Sequence, residues 1–171
     1  MRNILLIITV LLLINNQKVS GGSMINITSP DFEHNKTIPV EFTCQGRDIN
    51  PKLVIENIPG STRSLALIVD DPDAPGGTWV HWLIYNIPLP QSGDLVIKPN
   101  TVPGLEGLND FGKINYGGPC PPSGTHRYFF KIYALDTVFN LKQGITKQEL
   151  ESAMNYHVID SAELIGLYKK Q

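Results

Sequence analysis

A chain of 171 residues falls within the size of one domain and can bury its own core. Apolar residues make up 42% and charged residues 18%, which excludes disordered, collagenous and coiled-coil chains. Lys and Arg number 14 against 16 Asp and Glu, a net charge of −2, so the basic excess of a nucleic-acid-binding surface is missing.

The chain opens with one basic residue, Arg2. An eleven-residue run follows, Ile4 to Ile14, apolar at every position but Thr9. Polar residues and then Val19-Ser20-Gly21-Gly22 come next. This is the order of a secretory signal, and small residues fit cleavage after Gly21 or Gly22. The run is short for a bilayer core, which takes about 17–25 residues. Residues 1–22 are therefore expected to be a signal peptide, and 23–171 a single exported domain, periplasmic or secreted, with no transmembrane span after cleavage. The alternative is an uncleaved anchor. Asn26-Ile27-Thr28 and Asn35-Lys36-Thr37 match the glycosylation sequon, which matters only in a eukaryotic secretory pathway.

Taken in chain order, runs rich in Val, Ile, Phe, Tyr and Trp predict strands at Ile25–Thr28, Val40–Cys44, Leu53–Ile55, Ser64–Asp70, Trp79–Ile87 and Tyr128–Leu135. Trp79–Ile87 is apolar on both alternate faces, Trp79, His81, Leu83, Tyr85 and Ile87 on one and Val80, Trp82, Ile84 and Asn86 on the other. Such a strand belongs beneath a helix or inside a sandwich. All 13 prolines lie between Pro30 and Pro122. Residues 88–127 hold seven of them and read as a long irregular connection, a type that is often functional. The part after Pro122 should be more regular. Thr146-Lys147-Gln148-Glu149 is a capping box, and Leu150, Ala153 and Met154 recur at helical spacing. A helix over about 147–156 and a last strand at Glu163–Tyr168 follow.

The densest polar cluster is Asp70-Asp71-Pro72-Asp73-Ala74-Pro75, at the end of a buried strand. It reads either as a solvated turn or as a stiff turn that fixes a carboxylate in a pocket. His81 lies within an apolar strand, where a histidine is most often a core residue. His126 and Tyr128 share one face of a strand, with Arg127 on the other. Ahead of them runs a Gly/Pro loop, residues 117–124, that lets backbone approach a ligand closely. Asp71, His81 and His126 also satisfy the composition of a two-His, one-carboxylate metal triad, at a spacing that is not diagnostic. No Gly-x-Ser-x-Gly, Gly-Lys-Ser/Thr or His-Glu-x-x-His pattern occurs. The two cysteines, Cys44 and Cys120, either pair in an oxidising compartment or stay as buried free thiols.

Together these segments resemble the phosphatidylethanolamine-binding protein family, also called Raf-kinase-inhibitor-like, and its bacterial branch in particular. The resemblance rests on Phe42-Thr43-Cys44-Gln45-Gly46 with Asn50-Pro51, Asp71-Pro72-Asp73-Ala74-Pro75, His81-Trp82, Asn86-Ile87-Pro88, Gly117-Gly118-Pro119-Cys120-Pro121-Pro122, His126-Arg127-Tyr128 and Tyr133-Ala134-Leu135. The short link Gly76-Gly77-Thr78-Trp79 resembles prokaryotic members. The resemblance implies a mostly β fold, two packed β-sheets with one or two short helices near the C-terminus, and an anion pocket at one end.

By the same resemblance the pocket would use Asp71, His81, His126 and Tyr128, with Asp73, Pro75, Gly118 and Pro122 shaping its wall. Asp71 would orient an imidazole, and Cys44 and Cys120 would lie near that end. The implied ligand is a small anion or a phosphoethanolamine-like phospholipid head group, without metal or cofactor, and the implied role is binding rather than catalysis. Eukaryotic members inhibit protein kinases, so regulation of a protein partner is a further expectation, one that does not transfer safely to an exported chain. The alternative function is a small hydrolase using Asp71, His81 and His126 as acid and base.

Overall fold

The computed structural model describes residues 24–171. The expected signal peptide lies outside the described residues. Among the described residues nine strands and one α-helix form in the order β1 (Asn26–Thr28), β2 (Lys36–Thr37), β3 (Leu53–Glu56), β4 (Ser64–Asp71), β5 (Trp79–Ile87), β6 (Leu95–Ile97), β7 (Leu105–Glu106), β8 (Thr125–Leu135), α1 (Lys147–Met154) and β9 (Val158–Lys169). They build two sheets, a three-stranded one ordered β1-β3-β6 and a six-stranded one ordered β2-β9-β8-β4-β5-β7. The mostly β, two-sheet fold with one short C-terminal helix is as expected.

Alternation along the strands assigns two cores. Leu65, Leu67 and Val69 of β4 and Tyr128, Phe130 and Ile132 of β8 point between the sheets. Ala66 and Ile68 point to the other face, where Leu150 and Met154 of α1 cover them. β4 is therefore buried at all eight positions, which explains its nearly continuous apolar sequence. At its end the two neighbouring aspartates part company. Asp70 faces α1 and is paired with Lys131 and Lys147 at 2.8 and 2.6 Å. Asp71 faces the other way.

β5 does not alternate strictly. Trp82 lies opposite Val69 and Val80 opposite Asp70, so β5 carries one residue more than β4 there, and that residue is His81. A bulge of this kind re-aims a side chain. It turns His81 from the helix-covered face, where simple alternation with Leu83 and Tyr85 puts it, toward Tyr128. A second extra residue lies between Ile84 and Ile87, beside Asn86 at φ 53°, and brings Ile87 into the inter-sheet core.

Two expected elements are corrected. Val40–Cys44 is not a strand; Val40–Phe42 forms a 3-10 turn. Pro39 starts it, the Thr43 hydroxyl donates back to the Val40 carbonyl at 2.8 Å, and a Cβ on Gly46 would collide with that same carbonyl. A local side-chain bond has outcompeted the ladder. The last strand starts at Val158, five residues before the expected Glu163, and pairs with β8 along nearly its whole length. α1 ends at Met154, and its capping box is formed as the sequence spells it, with Thr146 and Glu149 each bonding the other's backbone N–H.

Candidate functional site

The inner-face ends of β4, β5 and β8 bring four of the expected site residues together. Asp71 closes β4, His81 is the bulge of β5, and His126 and Tyr128 begin β8. All four are buried.

Asp71 and His126 form a dyad, Oδ2 to Nδ1, at 2.7 Å. The other oxygen, Oδ1, accepts the backbone N–H of Asp73 at 2.8 Å. Both carboxylate oxygens are thus committed to protein donors, and Asp71 holds the ring rather than facing a ligand. His81 is fixed from a different side, with Nδ1 2.6 Å from the Gly117 carbonyl. Its ring packs edge-on against Tyr128, centroids 5.1 Å apart, and against Phe111 at 5.3 Å.

Neither Nε2 has a protein partner among the described residues, and neither is sealed from solvent. The Tyr128 hydroxyl is sealed from solvent and makes no well-formed hydrogen bond, although the Asp71 carboxylate and the Cys120 backbone lie within its reach. Buried polar groups without partners are rare in folded proteins. Burial, reinforced by the Asp71 charge, pushes the Tyr128 phenol well above its ordinary range, so it keeps its proton and can donate. Burial lowers the pKa of His81, against the upward pull of the Gly117 carbonyl and of Asp71, so the neutral ring is favoured.

The wall residues have separate tasks. Asp73 is occupied by Arg127, whose backbone N–H, Nε and NH2 reach it at 3.0, 2.9 and 2.7 Å. The guanidinium hydrogen bonds hold the Asp73 carboxyl down at about 2, from an ordinary 3.8. Arg127 is on the outer side, as alternation requires, and bolts the Asp-Pro turn to β8. Pro75 and Pro122 are exposed at the rim.

Gly118 is buried, but a Cβ there would meet Asp48, Phe42 and Thr43 within 2.8 Å. Its missing side chain makes room for protein, not for ligand. A separate cleft of about 200 Å³ lies behind this loop, lined by Asp48, Asn109, Phe111, Lys113 and the Cys44–Cys120 bridge among others. It touches Gly117 and Gly118 but not Asp71, His126 or Tyr128.

Cys44 and Cys120 are joined in a disulfide, with Cα atoms 5.5 Å apart. Cys44 is exposed, which removes the reading of two buried thiols. The bridge ties the 3-10 turn to the Gly/Pro loop, and the Cys44 N–H donates to the Pro119 carbonyl at 3.2 Å.

The sequence reading missed three supports of the site. Phe111 lies against His81, the Gly117 carbonyl sets its ring, and Asp110 accepts the Val80 N–H at 2.6 Å beside the bulge. Only the glycine pair had a visible signal. Among the described residues no group of three His, Cys, Asp or Glu side chains is arranged to hold a metal ion. Also among them, no helix is long and apolar enough to cross a membrane.

Comparison with known proteins agrees with this fold. The profile of the family described as "Phosphatidylethanolamine-binding protein" matches residues 28–169. A UPF0098 protein from Pyrococcus horikoshii is 45% identical over 97% of this chain and 88% of its own. One from Aquifex aeolicus is 42% identical over 88% of this chain and 92% of its own. The crystal structure of a phosphatidylethanolamine-binding protein homologue from Chlamydia trachomatis superposes with a TM-score of 0.81 at 40% identity, covering 86% of this chain and 99% of that one. Escherichia coli YbcL, described as a member of the mammalian family, gives 0.77 at 28% identity over 87% of this chain and all of its own. Relatives are thus archaeal as well as bacterial, which is broader than the bacterial branch the motifs suggested. The chain belongs to the phosphatidylethanolamine-binding protein family.

Proposed function

We propose that this protein binds a small oxyanion, such as phosphate or a phosphoethanolamine-type head group, at the ends of β4, β5 and β8. Family membership supports a ligand-binding protein. One observation carries the finer reading: two buried histidines whose Nε2 atoms meet no protein partner among the described residues lie with the buried Tyr128 hydroxyl at one end of a sheet. A chain of net charge −2 exerts no long-range pull on anions, so local donors must supply the affinity. Tyr128 donates its O–H. His126 offers Nε2–H once its ring is charged, with Asp71 receiving the Nδ1 hydrogen. Asp71 and, through Arg127, Asp73 are positioning residues.

The hydrolase reading needs a nucleophile beside a base. Among the described residues no Ser, Thr or Cys bonds to His81 or His126, whose ring nitrogens reach only Gly117 and Asp71. Export belongs to the same proposal and is supported by the Cys44–Cys120 bridge, since disulfides persist mainly in oxidising compartments.

Calorimetric titration with inorganic phosphate tests the reading. Saturable binding that His126→Ala and Tyr128→Phe each weaken is the expected result. Undiminished binding in both variants would move the site elsewhere.

A further inference from the structure

The two histidines of the site are each backed by an aspartate, one directly and one across a peptide bond. Asp71 meets Nδ1 of His126 itself. His81 is met at Nδ1 by the Gly117 carbonyl, at 2.6 Å. The other end of that same peptide unit, the Gly118 N–H, donates to Oδ1 of Asp48, also at 2.6 Å. Carboxylate, peptide and imidazole thus form one chain of hydrogen bonds. The carbonyl and the N–H of a trans peptide point in opposite directions, so holding one end aims the other.

From this relay we infer that Asp48 is a positioning residue of the site: by holding the Gly118 N–H it turns the Gly117 carbonyl toward His81 and sets the orientation and tautomer of that ring. A carbonyl only accepts, so the contact keeps the hydrogen on Nδ1. With the peptide flipped, its N–H would face the ring, and the neutral imidazole would carry its hydrogen on Nε2. Rotation of a peptide between two glycines meets little steric resistance. The bonds on either side do not prevent it. The Gly117 N–H donates to the His81 backbone carbonyl at 3.0 Å, and the Pro119 carbonyl accepts from Cys44 at 3.2 Å, but both belong to other peptide units. Among the described residues Asp48 is the partner of the Gly118 N–H.

The local structure fits this task. Asp48 is held in the left-handed region, at φ 56°, a conformation that aspartate adopts more readily than most residues. A Cβ on Gly118 would lie 2.6 Å from the same Oδ1, so glycine at that position is what lets the carboxylate approach. The charge strengthens the bond and polarises the peptide, which makes the Gly117 oxygen a better acceptor. The Cys44–Cys120 bridge fixes the loop as a whole, leaving to Asp48 the direction of one peptide within it. The inference concerns the ring before any ligand arrives and goes beyond the oxyanion reading.

Nitrogen-15 NMR of the histidine rings tests it, in the oxidised protein at about pH 8, where histidine is neutral. The unaltered protein should carry hydrogen on Nδ1 of His81. Asp48→Gly removes the carboxylate and keeps a residue that accepts a positive φ without strain. Its tautomer ratio should move at least about tenfold toward Nε2–H, the worth of one bond to a charged group, and its Gly118 amide should exchange with solvent faster by a similar factor. Asp48→Asn, whose side-chain oxygen still accepts, should restore the preference for Nδ1–H. The ring of His126, backed by Asp71, should keep its state in both variants. The parent's ratio retained in Asp48→Gly would overturn the inference. Hydrogen on Nε2 of His81 in the unaltered protein, or a freely exchanging Gly118 amide there, would do so without any variant having to fold. Phosphate titration keeps the two readings apart: if phosphate does not bind the unaltered protein, the oxyanion reading fails and the tautomer still decides the role of Asp48.

Discussion

Asp70 and Asp71 are neighbours in sequence and point to opposite faces of one sheet. Asp70 is fully buried beneath α1 between two lysines, while Asp71 is buried against His126. One dipeptide therefore serves the hydrophobic layer under the helix on one side and the candidate site on the other.

Substitution separates the two roles. Asp70→Asn should lower stability by about 1–3 kcal/mol, because charged hydrogen bonds are lost at a buried position. It should leave phosphate affinity unchanged. Asp71→Asn puts an amide where Oδ1 and Oδ2 both accept, so one donor, on Asp73 or His126, loses its partner. Phosphate affinity should fall about tenfold, roughly the worth of one such bond. Chemical denaturation and calorimetry on both variants distinguish these effects, and a loss of affinity in Asp70→Asn equal to that in Asp71→Asn would refute the division.

His81 gives the fold a measurable acid sensitivity. Its pKa is lowered in the folded protein, chiefly by burial, from an ordinary 6.5. The unfolded chain therefore takes up the proton first. Stability is full above pH 6.5 and falls as pH drops from there toward the lower folded value. Replacing His81 by Phe should flatten that slope. Urea midpoints at pH 7.5 and pH 5 in both proteins measure it. An unchanged slope would mean that His81 is not held neutral by the fold.

Asp73 acts in the same direction over a more acid range. Its carboxyl is held at about 2 by Arg127, below the ordinary 3.8. The pair's contribution is present above pH 3.8 and is lost as pH falls through about 2. Arg127→Ala should thus be less stable than the parent at neutral pH, with the gap closing in the acid range. Arg127 projects to the outer side, so any loss of anion affinity in this variant should be smaller than in His126→Ala. Acid titration followed by circular dichroism gives the first comparison and calorimetry the second.

The bridge between Cys44 and Cys120 closes a loop with a sequence separation of 76. In the chain-entropy model it stabilises by about 4 kcal/mol at most. Reduction, or replacement of both cysteines by Ala, should lower the denaturant midpoint accordingly. An unchanged midpoint would show that the 3-10 turn and the Gly/Pro loop hold together without it.

Much of the fold was legible because β4, β5 and β8 announce themselves by composition, and the capping box marks α1. The chemistry-bearing residues were legible as motifs in order along the chain. What could not be read was geometry set by partners. The His81 bulge exists only in register with β4, and strict alternation assigns that ring to the wrong face. Leu95–Ile97 and Leu105–Glu106 are too short to signal strands alone and pair at sheet edges. Val158–Ala162 carries no clear strand signal because polar residues interrupt it, yet β8 offers a full ladder. Gly118 stood in the motif for a ligand-facing backbone, whereas its space is filled by Phe42, Thr43 and Asp48.

The most direct test of the central claim follows the ring signals of the four histidines by NMR as inorganic phosphate is added to the oxidised protein. His81 and His126 should shift together along one saturable curve. His34 and His157, which bond elsewhere, to the Ile165 N–H and to Asp136, should stay still. Saturable shifts at His34 or His157 with His81 and His126 unmoved would contradict the account.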